Sequence, residues 1–150
     1  MKTVLITGGA GFAGSNIALN YKRANQGDRV VSLDNLKRRG SELTLSRLKR
    51  NGIEFVHGDV RIKDDLLEVG KVDLIIDCSA EPSVLAGQNG SPEYVIQTNL
   101  IGTLNALELA RLNNAGIIFL STSRVYPIES INQLSYEETE TRFELSDQQS

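Results

Sequence analysis

The chain has 150 residues, 40% hydrophobic and 23% charged, with a formal net charge of −3. That is one domain's length with ordinary globular composition, and its acidic balance excludes a general nucleic-acid or anionic-membrane binder, which needs a basic surface. One cysteine, Cys78, excludes an internal disulfide, and beside a single histidine it leaves no zinc-ligand spacing, so no metal is expected and a reducing cytoplasm is the expected setting.

In chain order, the opening MKTVLITGG reads as a buried strand over Thr3 to Thr7, because its apolar run is too short for a signal segment or a membrane span. A helix follows over Ala13 to Asn25. Further strands are expected at Arg29 to Leu33, Ile53 to His57, Val72 to Asp77 and Ile117 to Ser121. They are rich in Val and Ile with little polar alternation, the pattern of strands covered on both faces. Helices are expected between them at Ser41 to Lys49, Ile62 to Val69 and Pro92 to Asn113. The last carries clear punctuation: Ser91 can cap it, Pro92 suits its first position, Glu93 complements its dipole, and Asn113-Asn114-Ala115-Gly116 ends it.

Strands alternating with helices in this way imply parallel strands joined by right-handed crossovers. The expected fold class is α/β, a Rossmann-type doubly wound parallel sheet, with residues 1–127 as one domain. From 128 to 150 the chain is polar, acidic and without a period, an exposed tail or a loop leading to a further element.

The stretch GGAGFAG sits between the first strand and the first helix, the context that gives a glycine fingerprint meaning. Gly9-Ala10-Gly11-Phe12-Ala13-Gly14 fits G-x-G-x-x-G, and Gly8, Gly11 and Gly14 fit G-x-x-G-x-x-G. The early glycines allow a tight turn, Gly11 lets a pyrophosphate approach bare backbone, and Gly14 lets the helix lie close on the sheet. Asp34 ends the second strand twenty positions after Gly14, where a carboxylate can hold both hydroxyls of an adenosine ribose. Its charge favours NAD over NADP. Lys37, Arg38 and Arg39 follow, and they can hold a 2′-phosphate, flank the adenine and its ribose, or be a solvated loop.

Taken together, TGGAGFAG, Asp34-Asn35, HGDV at 57–60, NLIGTLNALELAR at 99–111 and STSRVY at 121–126 resemble the extended short-chain dehydrogenases/reductases, the nucleotide-sugar epimerases, dehydratases and reductases. From STSRVY to YEETETRFEL the chain is most similar to the CDP-tyvelose and CDP-paratose 2-epimerases of that family, which implies a CDP-linked sugar substrate. The resemblance implies oxidation at a sugar carbinol, reorientation of the keto sugar and return of the hydride to its other face. It assigns Phe12 and Ala13 to the pyrophosphate, Asp59 and Val60 to the adenine, and Ser79, Ala80 and Glu81 to the nicotinamide ribose side, with Asn35, Arg38, Asn99 and Ser121 completing the cofactor set. Asp59 would accept from the exocyclic amine, although a turn residue in His-Gly-Asp is an equally natural reading. Thr122 aligns with the catalytic hydroxyl, and Tyr126 with a packed tyrosine. Departures from the pattern are Cys78-Ser79-Ala80-Glu81, where small apolar residues are usual, and Ser123-Arg124, where the dehydratases carry Asp-Glu.

The same resemblance calls for a general base, a tyrosine followed four positions later by lysine. The residues four after Tyr21, Tyr94, Tyr126 and Tyr136 are Asn25, Thr98, Ser130 and Glu140. The expectation is the N-terminal, cofactor-binding part of a longer epimerase, inactive alone; the alternatives are a non-catalytic NAD-binding module or truncated relic, and a nucleotide-sugar dehydratase or reductase on the same scaffold. Homo-oligomerisation through the helix at Pro92 to Asn113 is also expected, its Leu and Ile side chains exposed on one face. His57 reads as structural, Cys78 as a small buried apolar residue, and Glu137, Glu138, Glu140 and Glu144 as a solvated acidic loop.

Overall fold

Alternation along the strands places successive side chains on opposite sides of a sheet, and here both sides find helices. The computed structural model describes residues 1–83, 85–88, 90–122, 125 and 127–147. It divides into a unit from Met1 to Leu120 and a second from Ser121 to Ser150.

The first unit is a five-stranded sheet in the order β3-β2-β1-β4-β5, every pair parallel. Its strands are β1 (Thr3–Thr7), β2 (Arg29–Asp34), β3 (Glu54–His57), β4 (Leu74–Asp77) and β5 (Gly116–Phe119). Leu5, Val31, Leu33 and Ile75 face one layer, with Leu66 of α3 (Lys63–Leu67) and Leu109 of α5 (Gly102–Asn113). Val4, Ile6, Val30 and Ile76 face the other, with Ala18 and Leu19 of α1 (Phe12–Ala24) and Leu48 of α2 (Leu45–Arg50). Two cores on one sheet explain why these strands carry so little polar alternation. The doubly wound α/β fold is the one expected from the sequence.

Element positions agree to within a few residues, with two differences. A 3₁₀ turn over Ser41–Thr44 precedes α2, so the single helix expected there begins as a tighter coil. The helix expected from Pro92 to Asn113 is continuous but not uniform: α4 (Glu93–Ile96) passes through a π-helical turn at Gln97–Ile101 into α5. The Ser91 hydroxyl accepts the Glu93 N–H at 3.1 Å, as its capping role required. Asn114 stops α5 in the left-handed conformation at φ 51°, and Ala115 N–H returns to the Ala110 carbonyl at 2.9 Å. Ile96, Leu100, Leu104 and Leu107 form an exposed stripe along this helix.

The second unit holds a short helix, α6 (Ile128–Asn132), and an antiparallel pair, β6 (Tyr136–Glu138) with β7 (Phe143–Leu145). Tyr136 and Phe143 pack edge to face across that pair, centroids 5.4 Å apart. Within the exposed acidic stretch expected over 128–150 this hairpin is additional structure, for which Tyr136 and Phe143 supply β-forming residues. Ser123, Arg124 and Tyr126 lie outside the described residues.

Candidate functional site

A cleft of about 980 Å³ opens at the carboxyl end of β1, β2 and β4. The strand order reverses between β1 and β4, so the chain leaves them toward opposite faces of the sheet and a crevice remains. The cleft is built wholly within the first unit; Ser121 and the expected catalytic Thr122 belong to the second.

The turn from β1 into α1 forms one wall. Gly8 sits at φ +60°, and a Cβ there would come within 2.7 Å of the Cys78 carbonyl oxygen; only glycine fits that conformation and that space. A Cβ on Gly14 would strike the Gly8 carbonyl, so Gly14 lets the helix close on its own entry loop. Gly11 N–H donates to the Gly8 carbonyl at 3.1 Å, which bends the turn back so that α1 begins at Phe12. The amides of Phe12, Ala13 and Gly14 then open the helix with no carbonyl a turn before them, the arrangement that receives phosphate. Gly9, absent from the expected cofactor set, is also sterically bound: its Cβ would strike the Ser32 hydroxyl of β2.

Asp34 lies at the end of β2 with both oxygens fixed by backbone. Ala10 N–H donates to Oδ2 at 3.1 Å and Leu36 N–H to Oδ1 at 2.8 Å. The second bond holds Leu36 at φ 53°, a conformation its side chain disfavours. Each carboxylate oxygen keeps an unused lone pair, the two acceptors a ribose diol needs.

Asp59 and Val60 occupy the loop after β3. The Asp59 carboxylate accepts Arg61 Nε at 2.9 Å, Arg61 Nη2 at 2.6 Å, Arg61 N–H at 3.0 Å and Asn35 Nδ2 at 2.8 Å. Its acceptor capacity is thereby filled, and the Arg61 guanidinium holds its pKa well below the usual carboxylate range. Val60 is held from the opposite side. Asn105 donates to its carbonyl at 2.9 Å, and its side chain rests on Gly102, where a Cβ would approach Val60 Cγ2 to 2.7 Å.

Asn99 does comparable work on the β4 side. Its amide brackets the backbone of Glu81, accepting the N–H at 2.8 Å and donating to the carbonyl at 3.1 Å. The pattern N-x-x-G-T-x-N thus pins two cleft loops from one helix, Glu81 through Asn99 and Val60 through Gly102 and Asn105. Ser79 donates to Asp77 Oδ1 at 2.6 Å, and Ala80 and Glu81 follow it along the cleft. Cys78 is half-buried and lines the cleft; burial, with the nearby Asp77 charge, pushes its thiol up to about 11. His57 is exposed, its Nε2 3.3 Å from the Asn35 carbonyl.

Four further residues complete the cleft. Thr44 donates to the Ala10 carbonyl at 2.9 Å, and Arg47 donates to the Ser15 hydroxyl at 2.9 Å, so the helix after β2 ties down the glycine turn. Tyr94 lies under Lys37 Nζ, 3.0 Å from its ring centroid, and beside the Arg61 guanidinium at 5.0 Å. Thr98, one helical turn on, lines the cleft with its hydroxyl buried and unpartnered. Only tertiary folding brings these to the site; the one local signal is the four-residue spacing of Tyr94 and Thr98. Among the described residues no group of three or more His, Cys, Asp or Glu could hold a metal ion, and no helix is long and apolar enough to cross a membrane.

A glycine turn opening a helix, an acid at the end of the second strand and a crevice at the strand reversal define a dinucleotide-binding domain. The chain belongs to the NAD dependent epimerase/dehydratase family, whose model matches residues 4–146. It is 39% identical over 149 residues to a CDP-paratose 2-epimerase of Salmonella typhi, covering 93% of this chain and 42% of that protein. It is 40% identical over 115 residues to a dTDP-glucose 4,6-dehydratase of Xanthomonas campestris, covering 74% and 32%. Among solved structures it is similar to the ADP-L-glycero-D-manno-heptose-6-epimerase of Helicobacter pylori, with TM-score 0.70, 33% identity, and coverage of 83% of this chain and 40% of that one. The chain therefore spans less than half the length of these relatives. NAD, the cofactor expected from the sequence, is the cofactor of this family.

Proposed function

We propose that this chain is the cofactor-binding part of an NAD-dependent nucleotide-sugar epimerase acting on a CDP-linked sugar. The observation that carries the reading is the pairing of the glycine turn with Asp34: bare helix amides at one wall and a carboxylate with two spare acceptors at the other. The residues fit an adenine dinucleotide. Phe12, Ala13 and Gly14 amides would hold the pyrophosphate, Asp34 the adenosine ribose, and the Val60 loop with Thr98 the base. Ser79, Ala80 and Glu81 would flank the nicotinamide ribose. When bound, NAD supplies a hydride acceptor and donor.

Thr122 is the hydroxyl proposed to hydrogen-bond the reacting sugar oxygen, with Ser121 beside it. The similarity to a CDP-paratose 2-epimerase over 93% of the chain supports this subclass over the dehydratases, and so does Ser123-Arg124 in the sequence. Because none of the four tyrosines is followed by lysine four positions on, the 150-residue chain is expected to bind dinucleotide without turning over CDP-sugars.

The test is titration of NADH into the purified chain, followed by its fluorescence. Saturable binding is expected, and Asp34→Asn should weaken it by about ten- to a hundredfold, the worth of hydrogen bonds to a charged acceptor. Absence of saturable NADH binding by the folded chain would refute the reading. Measurable epimerisation would refute the assignment of the missing base.

A further inference from the structure

Two loops of the cleft are joined to its helix through one aromatic ring. Asp34 Oδ1 accepts the Leu36 N–H at 2.8 Å and Asn35 Oδ1 accepts the Lys37 N–H at 3.0 Å, so the backbone that roots Lys37 is held. Asn35 Nδ2 donates to the Asp59 carboxylate at 2.8 Å, and that carboxylate holds the Arg61 guanidinium through Nε and Nη2. Arg61 stands 5.0 Å from the centroid of the Tyr94 ring, and Lys37 Nζ returns to that ring at 3.0 Å. The circuit Lys37, Asn35, Asp59, Arg61, Tyr94 is closed, but its members differ in freedom. Arg61 is clamped in a bidentate ion pair. Lys37 is exposed and forms no ion pair among the described residues; its ammonium meets the Tyr94 ring instead. Lys37 and Tyr94 both line the cleft, one from the loop after β2 and one from α4, so their contact joins two of its walls.

We infer that Lys37 is a gate: its contact with Tyr94 closes the side of the cleft that carries Asp34, and it opens each time a dinucleotide enters or leaves. The inference rests on the dinucleotide reading above and concerns its kinetics. The Lys37 ammonium rides on a flexible four-carbon stem, whereas the ring is borne on a helix and backed by the clamped Arg61. An ammonium over an aromatic face gains a modest attraction, larger where water is partly excluded. Such a contact holds the arm across the cleft yet releases it readily. Made alike in the empty and the filled cleft, it hinders entry and exit equally, so it slows both rates and leaves affinity nearly unchanged. Charge attraction works the other way. A lysine whose role is to draw in the anionic dinucleotide speeds entry, so the two roles predict opposite signs when Lys37 is replaced.

The experiment follows NADH association and dissociation by stopped-flow fluorescence with the whole 150-residue chain. In Lys37→Met, which keeps an apolar stem, both rate constants should rise about two- to tenfold while the dissociation constant moves by less than about twofold. Tyr94→Leu should do the same, and Tyr94→Phe, which keeps the ring, should restore the parent rates. Lys37→Met combined with Tyr94→Leu should be no faster than either single variant, because both remove one contact. Slower association in Lys37→Met, unchanged rates, or a change confined to dissociation would overturn the inference while leaving the dinucleotide reading intact. A second measurement needs no nucleotide. In the free chain the ring current of Tyr94 should move the Lys37 ε-methylene protons upfield in NMR spectra, and Tyr94→Leu should return them to their ordinary position. An ordinary position in the parent chain would also overturn the gate. If NADH does not bind a chain shown to be folded by circular dichroism, the dinucleotide reading fails and this one with it.

Discussion

Gly102 and Val60 give the sharpest test of how the cleft is held. Replacing Gly102 by Ala in the wild-type background inserts a Cβ 2.7 Å from Val60 Cγ2, about 1 Å inside the ordinary carbon–carbon separation. Gly102 is helical and follows a continuous helical stretch, so the backbone cannot step aside cheaply. Overpacking of this kind costs about 1–3 kcal/mol. Ala is better than Gly in a helix by about 1 kcal/mol, so the net change should be a loss of about 0–2 kcal/mol. In a Val60→Ala background the clashing methyl is gone and the nearest remaining atom is the Cβ at 3.3 Å, so the same substitution should stabilise by up to about 1 kcal/mol. The sign reversal is the prediction, a coupling of about 1–3 kcal/mol in a double-mutant cycle read from urea denaturation. NADH affinity should fall in Gly102→Ala and not in Asp64→Ala, an exposed change on the solvent side of the fold. A coupling below about 0.5 kcal/mol would show that the glycine of the N-x-x-G-T-x-N pattern is not there to seat Val60.

Three further outcomes are expected. Arg61 holds the Asp59 carboxyl below its ordinary pKa, so this pair stabilises the fold above the unfolded carboxylate pKa of about 4 and loses its contribution as pH falls through the folded value. Arg61→Gln should therefore raise the pH of the acid-unfolding midpoint, and an unchanged midpoint would contradict the assignment. The Cys78 thiol, pushed up to about 11 by burial and by Asp77, should alkylate slowly at neutral pH, accelerate as pH climbs toward that value, and be shielded by NADH; rapid labelling at pH 7 by mass spectrometry would refute this. The exposed stripe of Ile96, Leu100, Leu104 and Leu107 should drive self-association, and Leu100→Asp with Leu104→Asp should abolish it in sedimentation velocity without lowering NADH affinity. A monomeric parent chain at high concentration would refute that expectation.

The fold was legible because its signals are local. Unbroken Val/Ile runs and strand-to-helix spacing need no tertiary information, and the two core layers confirm that the strands are covered on both sides. The first wall of the site was legible for the same reason, since Gly8, Gly11, Gly14 and Asp34 belong to a short segment whose chemistry is written in its own order. What could not be read depends on distant parts of the chain meeting. Arg47 reaches Ser15 across 32 positions and Asn105 reaches Val60 across 45. The hairpin at 136–145 escaped because acidic composition masks its two β-forming aromatics, Tyr136 and Phe143.

Asn99 brackets the Glu81 backbone with one bond at each end of its amide and keeps a second N–H and a second acceptor site. Asp59 falls with the adenine contacts by resemblance, yet its four acceptor sites are filled by Arg61 and Asn35. Groups that are already saturated act on a ligand by fixing the loops that touch it, and their loss should move affinity together with local stability. Asp34 differs because each of its oxygens retains an acceptor site after the backbone is satisfied. That remaining capacity, and not the recurrence of a residue in a pattern, separates a group that can grip the nucleotide from one that holds the gripping loop in place.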